Sequence, residues 1–269
     1  MKLLPSLLTF LILSTTSAQN QTDNTWLTII GTIHTGNKHF DHKTLFKILK
    51  EINPDVILQE QSTEYNRVFG LLTGNFLKIW SPSIEDLAVQ KYTRFNKKCK
   101  VLPYDIFIND RLKYKSEINI NKDKIFEGLK IKHSENFLTG NDSVEFANYS
   151  SIRTNYYNKI WDTTLERINR KDFTDLTRII YNLEKNSIQN LNNKYITDTA
   201  LVNWFNDNIN FWIKRNNFMS KQILSYAELY KGKNIVVLTG LDHKYYLLDK
   251  IKESNIAGLE IIEFVQYQN

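Results

Sequence analysis

Trp26-Leu27-Thr28-Ile29-Ile30-Gly31-Thr32-Ile33-His34 and Asn234-Ile235-Val236-Val237-Leu238-Thr239-Gly240-Leu241-Asp242-His243 carry the same local message at opposite ends of the chain. Each begins with a compact apolar run, the pattern of a strand buried on both faces. Each run then stops at Gly-x-x-His, and an amphipathic helical pattern follows. The first helix spans Phe40 to Ile52, with Leu45, Phe46, Ile48, Leu49 and Ile52 at helical spacing and Asp41 as its N-cap. Asn53-Pro54 ends it, because the residue before proline avoids the α region. Asp55-Val56-Ile57-Leu58 reads as a second strand running into Gln59-Glu60, so strand, helix and strand make a right-handed βαβ unit. Lys100 to Tyr104 reads as a third strand ending at Asp105. The second Gly-x-x-His precedes a helix over His243 to Glu253, and Gly258 to Val265 reads as a closing strand.

Pro54, Pro82 and Pro103 all lie early, no proline follows Pro103, and there are only 9 glycines. That distribution favours helices over about 106 to 230. The expected fold is therefore α/β: a mixed or mostly parallel sheet core with paired strand-GxxH-helix units and a large helical insertion at about 106–200. Residues 19–269 are read as one domain. A chain of 269 residues can hide roughly 75% of its unfolded surface. Its 42% hydrophobic and 24% charged content excludes collagen-like, low-complexity and polytopic membrane classes.

The first 18 residues read differently. Lys2 is a short positive region, Leu3 to Leu13 are largely apolar, and Thr16-Ser17-Ala18 supplies small residues for cleavage. This is the pattern of a secretory signal peptide cut after Ala18, and the apolar run is too short to span a bilayer. The expected location is secreted or periplasmic, with no stable membrane insertion after cleavage. The single cysteine, Cys99, excludes a disulfide framework and a multi-thiolate zinc site. The net charge of +6 arises from 35 basic and 29 acidic side chains with no run of five basic residues, so nucleic acid is not an expected partner.

In an open parallel sheet both Gly-x-x-His turns would stand at the carboxyl ends of strands, where α/β proteins bind ligands. Glu60 leaves its strand at the same edge. His34, Glu60 and His243 could converge there, and two imidazoles with a carboxylate form a common divalent-metal set. Asp105, after the third strand, is expected either to support a site residue or to contact substrate, with Tyr104 beside it as a neighbouring donor. A helix over about Thr199 to Tyr230 carries an apolar stripe (Leu201, Trp204, Phe205, Phe211, Trp212, Phe218, Met219, Ile223) with Arg215 in its middle. A guanidinium there must snorkel or meet an anion, and Glu60 is a candidate. His39, His42 and His133 read as helix-start or surface residues. Cys99 lies among lysines but has no histidine near it in sequence. The pairs Tyr156-Tyr157 and Tyr245-Tyr246 suit either packing or the lining of a peptide groove.

The start GTIH, the unit closing on PDVILQE, the helix segment RNNFMSKQI and the late VVLTGLDH together resemble the TraB/GumN/TIKI family of the erythromycin-esterase-like and ChaN-like superfamily. The resemblance covers roughly 24–62 and 205–265. It implies a site made of His34, Glu60, Arg215, Asn216 and His243, and a divalent metal ion (manganese, cobalt, zinc or iron) held by His34, Glu60 and His243. Glu60, Arg215 and Asn216 would then be catalytic. The activity implied is a metal-dependent hydrolase, a metalloprotease-like enzyme acting on a peptide or small-molecule substrate. The alternative is a non-catalytic protein binding haem, iron or a peptide, as in the ChaN-like relatives. The chain departs from the family pattern at Lys214, where glutamate is usual before Arg-Asn, and at Asp242, where a small or apolar residue is usual.

Overall fold

The computed structural model describes residues 24–62, 82–106, 118–264 and 266; the signal-peptide reading of residues 1–18 lies outside them. Strand β1 (Thr25–Thr32) is buried along its length except at Trp26, and β4 (Asn234–Gly240) is buried from Ile235 onward. These two runs pair in parallel, from Trp26 beside Asn234 to Thr32 beside Gly240. The register brings both Gly-x-x-His turns out of the sheet side by side. Strand β2 (Val56–Ser62) pairs in parallel with β4 on its other side and with β3 (Lys100–Asp105). A short β5 (Leu259–Ile261) lies along the start of β1. The order is β3-β2-β4-β1-β5, with every pairing parallel. The chain passes from β1 to β2 across the place later filled by β4, which makes a crevice at the carboxyl ends of the strands.

Alternation along the strands divides the core between the two faces of the sheet. Ile30, Ile57, Val236 and Leu238 face a large cluster with α1 (His42–Ile52), α2 (Ile84–Phe95) and helices of the segment between β3 and β4. Leu27, Ile29, Val56, Leu58, Ile235 and Val237 face the other cluster, filled by Met219, Ile223, Leu247 and Ile251. Asp41 caps α1 as its sequence predicts, accepting from the backbone of Lys43 at 2.8 Å and Thr44 at 3.1 Å. Asn53 ends α1 in the left-handed region at φ +51°, just before Pro54.

Between β3 and β4 the described residues are mainly helical. They form α3 (Ile118–Ser134), α4 (Asn141–Trp161), the short α5 (Leu165–Ile168), α6 (Lys171–Leu183), α7 (Gln189–Tyr195) and α8 (Thr199–Leu229). A π-helical turn, Glu184–Ile188, joins α6 to α7. Helix α8 has 31 residues, so it is about 46 Å long. Helix α9 spans Leu241–Glu253 with Gly240 as N-cap, so His243 lies within its first turn rather than at its start. The closing strand is shorter than its sequence suggests. It pairs only with Thr25–Leu27, after which the chain turns to bury Phe264. No helix among the described residues is long and apolar enough to cross a membrane.

Candidate active site at the carboxyl edge of the sheet

Four strand ends and two helices meet at Gly240. A methyl group placed on Gly240 would lie 3.2 Å from His34 Nε2, 3.4 Å from Glu60 Oε2 and 3.5 Å from His243 Cδ2. A side chain here would crowd His34 and fill the corner that the three site side chains share. The convergence of His34, Glu60 and His243 expected from the sequence is therefore present.

Arg215 organises the buried half. It enters from α8, and its Nε and Nη2 donate to the two oxygens of Asp105 at 2.9 and 2.8 Å, a bidentate fork. Nη2 also donates to Glu60 Oε1, and Nη1 donates to His243 Nε2 at 3.0 Å. Burial opposes the guanidinium's charge, but Glu60 and Asp105 outweigh it and hold Arg215 more firmly protonated than usual. Glu60 Oε2 accepts from the backbone of Gly240 at 2.6 Å and from Thr239 Oγ1 at 3.2 Å.

His243 is buried, and both its nitrogens are committed. Its Nδ1 faces Asn216 Oδ1 at 2.8 Å, and Asn216 Nδ2 in turn donates to the Trp212 carbonyl at 2.8 Å. That network assigns the proton to Nδ1 and the lone pair on Nε2 to Arg215. Burial, then the adjacent guanidinium, push its pKa down to about 4. His243 is thus a neutral ring stacked at 14° on Trp212, with centroids 5.9 Å apart.

His34 is built for the opposite behaviour. Its side chain is 54% exposed, and its Nδ1 lies 2.8 Å from Glu85 Oε1. Glu85 is nearly buried in the first turn of α2, where a helix N-terminus favours a carboxylate. Burial raises its pKa, but the bonds from His34 and Thr32 lower it below the usual range on balance. The backbone of Ile84 also donates to the His34 carbonyl at 3.0 Å, which fixes α2 against the turn. The ionised carboxylate holds the proton on Nδ1 and turns the Nε2 lone pair toward the Gly240 corner.

A second set of buried polar groups locks the two turns together. The Asn169 side chain pairs with Gly31 like a strand neighbour, accepting from its N–H at 2.7 Å and donating to its carbonyl at 2.9 Å. Lys244 Nζ donates to the Asn169 carbonyl and Oδ1 at 2.8 and 2.9 Å. Burial depresses the Lys244 pKa to about 8.

One sequence expectation is corrected here and another is narrowed. Tyr104 is wholly buried, and its hydroxyl donates to the Leu238 carbonyl at 2.9 Å, so it packs within the sheet layer. Asp105 is also wholly buried and holds Arg215, which is the supporting one of its two expected roles. His39 pairs at the surface with Asp162 at 2.7 Å, and His133 is half-buried beside Phe146, with ring centroids 5.3 Å apart. Cys99 is an inert thiol, raised to about 11 by burial and by Asp55. Asp242 accepts from Tyr156 at 2.6 Å, and Lys214 is exposed. Glu85, Asn169 and Lys244 were not singled out by the sequence. The nearest signal for Glu85 was the Ser83-x-x-Asp86 capping box, formed in the structure, which announces the helix turn that carries it.

No family model, no curated protein and no solved structure matches the chain. The metal implied by the family resemblance can be tested against the donors themselves. Glu60 and His243 both turn toward the Arg215 guanidinium, so an added cation would meet a fixed positive charge. Among the described residues no group of three His, Cys, Asp or Glu side chains is arranged to hold an ion. In this arrangement the donor set does not fit a divalent metal. The two engaged nitrogens of His243 likewise leave it no lone pair for a haem iron.

Proposed function

We propose that the chain is a hydrolase, peptidase-like in substrate, that activates water on His34. The observation carrying this reading is the His34–Glu85 pair, which aims a basic imidazole nitrogen at the corner where Glu60, Arg215 and His243 gather. His34 Nε2 takes a proton from water as the water oxygen bonds to the substrate's carbonyl carbon. The imidazolium then returns that proton to the leaving nitrogen or oxygen as the scissile bond breaks. The second N–H of Arg215 Nη1 would donate to the transient oxyanion, and Asn216 and neutral His243 hold the guanidinium in place. Glu60 fixes Arg215 and the Gly240 backbone from the other side. The resemblance to the TraB/GumN/TIKI family supports a peptide bond as the target. Residues 1–18, read as an export signal, support action outside the cytoplasm.

Turnover of a peptide and ester panel by wild type, His34→Ala and Glu60→Gln tests the proposal. His34→Ala should lose about 10²–10⁴-fold in kcat while staying folded, the usual contribution of a general base. Full turnover by folded His34→Ala would sink the role of His34, and full turnover by Glu60→Gln would sink that of Glu60. Metal content is measured on the same samples. One divalent ion per chain, lost in a folded His34→Ala/His243→Ala variant, would replace this water activation with a metal-bound one and require Arg215 to swing away.

A further inference from the structure

We infer that an aromatic cavity between α3, α6, α8 and α9 holds an aromatic side chain of the substrate peptide, beside the bond cleaved at His34. This inference rests on the peptidase reading and adds a specificity to it. The cavity has a volume of about 260 Å³ and is walled by Tyr181, Trp212, Tyr245 and Tyr246. A cavity of roughly 150 Å³ already accommodates a benzene ring, so this one has room for a substituted ring with its peptide group.

Its position ties it to the site. Trp212 lies one helical turn before Arg215, accepts the Asn216 amide on its carbonyl and stacks on His243. Tyr245 and Tyr246 stand two and three residues after His243 on α9, and Tyr181 stacks on Trp212 at 15° with centroids 5.0 Å apart. One aromatic wall therefore serves the catalytic corner on one side and the cavity on the other.

Its polarity selects a neutral, hydrogen-bonding ligand. The wall charges come largely in pairs: Lys122 with Glu184 at 2.8 Å, Arg178 with Asp249 at 2.8 Å, and Lys250 with Glu253 at 2.7 Å. Paired charges have little to offer an ionic ligand. Buried Asn208 and exposed Asn182 supply amide donors and acceptors, the complement of a peptide group. Aromatic walls with a few polar groups are the usual makeup of such a pocket.

The π turn supplies Glu184 and Lys185 to the wall. Such turns occur often at functional sites. Here it carries buried Glu184, which also accepts from Tyr149 at 3.0 Å. The Lys122–Glu184 pair divides this cavity from a second one of about 400 Å³ lined by Phe126, Tyr157 and Phe205.

The test uses the full chain carrying His34→Ala, so that ligands are bound and not consumed. N-acetyl-phenylalaninamide and N-acetyl-alaninamide are titrated by NMR. The first should saturate at least tenfold more tightly than the second. Ile209→Trp, at a half-buried position of the cavity wall, should fill the space and weaken the aromatic amide at least tenfold with an unchanged melting profile. In the otherwise wild-type enzyme, Ile209→Trp should raise KM for phenylalanine-containing peptides and leave alanine analogues alone. If Ile209→Trp does not fold, Tyr246→Leu takes its place. Equal binding of both amides, or undiminished binding in the folded variant, overturns the inference while His34-dependent turnover could still stand. Turnover that ignores His34 overturns its role as the base, no turnover of any panel member by wild type overturns the hydrolase reading, and in either case the titration decides the cavity's ligand alone.

Discussion

His34 and His243 leave neighbouring strands through the same Gly-x-x-His sequence, yet the structure gives them opposite chemistry. His34 is half-exposed and backed by an ionised carboxylate. His243 is buried, backed by an uncharged amide and pressed against a guanidinium, with a pKa near 4. A carboxylate behind an imidazole favours taking up a proton, whereas a guanidinium beside one forbids it. The lesson is that the repeated motif specifies where each ring stands, while its partners from α2 and α8 decide what the ring can do.

The difference can be broken most forcefully at Arg215. Arg215→Met would take from Asp105 and Glu60 the guanidinium they share and so break a buried ion pair, a change that typically costs about 3–5 kcal/mol. Urea denaturation at neutral pH should read that loss, and adding Asp105→Asn should restore part of it. The same variant removes the guanidinium that, after burial, holds the His243 pKa down. A melt unchanged by Arg215→Met would mean that the guanidinium is not the keystone of the cluster.

The acid limb of stability sharpens the comparison next. His243 titrates near 4 in the folded chain against an ordinary value of 6.5. Between those values the unfolded chain binds a proton that the folded chain refuses. Stability should therefore fall as pH drops from about 6.5 toward 4, by on the order of 3 kcal/mol from this group. His243→Gln keeps a hydrogen-bonding side chain and should flatten that limb in denaturation midpoints taken at pH 4.5 and 7. The same limb surviving in His243→Gln would assign it to other groups.

Glu85 is the corresponding test for the other histidine. Glu85→Gln keeps the size but removes the charge that fixes the His34 tautomer. In a serine protease triad the equivalent change lowers kcat by roughly 10⁴-fold. Here a loss of about 10²-fold in kcat is expected, because His34 is more exposed and can recruit water to its Nδ1. Unchanged kcat and an unchanged pH profile would separate Glu85 from catalysis and leave it as a helix-end carboxylate.

Much of the frame was legible because local rules act there without help. The apolar runs at Leu27–Ile30 and Ile235–Leu238 could hide only inside a sheet, and Asp41 and Asn53-Pro54 marked the ends of α1. His34, Glu60, His243 and Arg215 were visible because each stood at an equivalent strand end or interrupted an apolar stripe. Glu85 and Asn169 were not, since their importance arises only when α2 and α5 dock on the first turn. Tyr104 had the correct edge but the wrong exposure, and the choice between the two roles open to Asp105 needed α8, which covers that end of β3 and claims Asp105 through Arg215. Nor does spacing announce the π turn at Glu184, whose cost is met by tertiary bonds to Lys122 and Tyr149.

The smallest expected effect lies at the clamp joining the two turns. Lys244 titrates near 8 because burial penalises its charge. A neutral amine keeps two N–H groups, which match the Asn169 carbonyl and side-chain oxygen that it already reaches. Above pH 8 the folded chain releases a proton that the unfolded chain keeps up to its ordinary value of 10.5. Stability should accordingly gain from this group as pH rises from about 8 toward 10.5. Lys244→Met should lose about 1–2 kcal/mol through its two hydrogen bonds, but at pH 7 it is also relieved of the larger cost of burying the ammonium, so it should match or exceed the wild type there. It should lack the alkaline gain, so the balance should move toward the wild type between pH 7 and pH 9.5. Parallel pH profiles would show that the ammonium is held charged, and Asn169 alone would then carry the lock on Gly31.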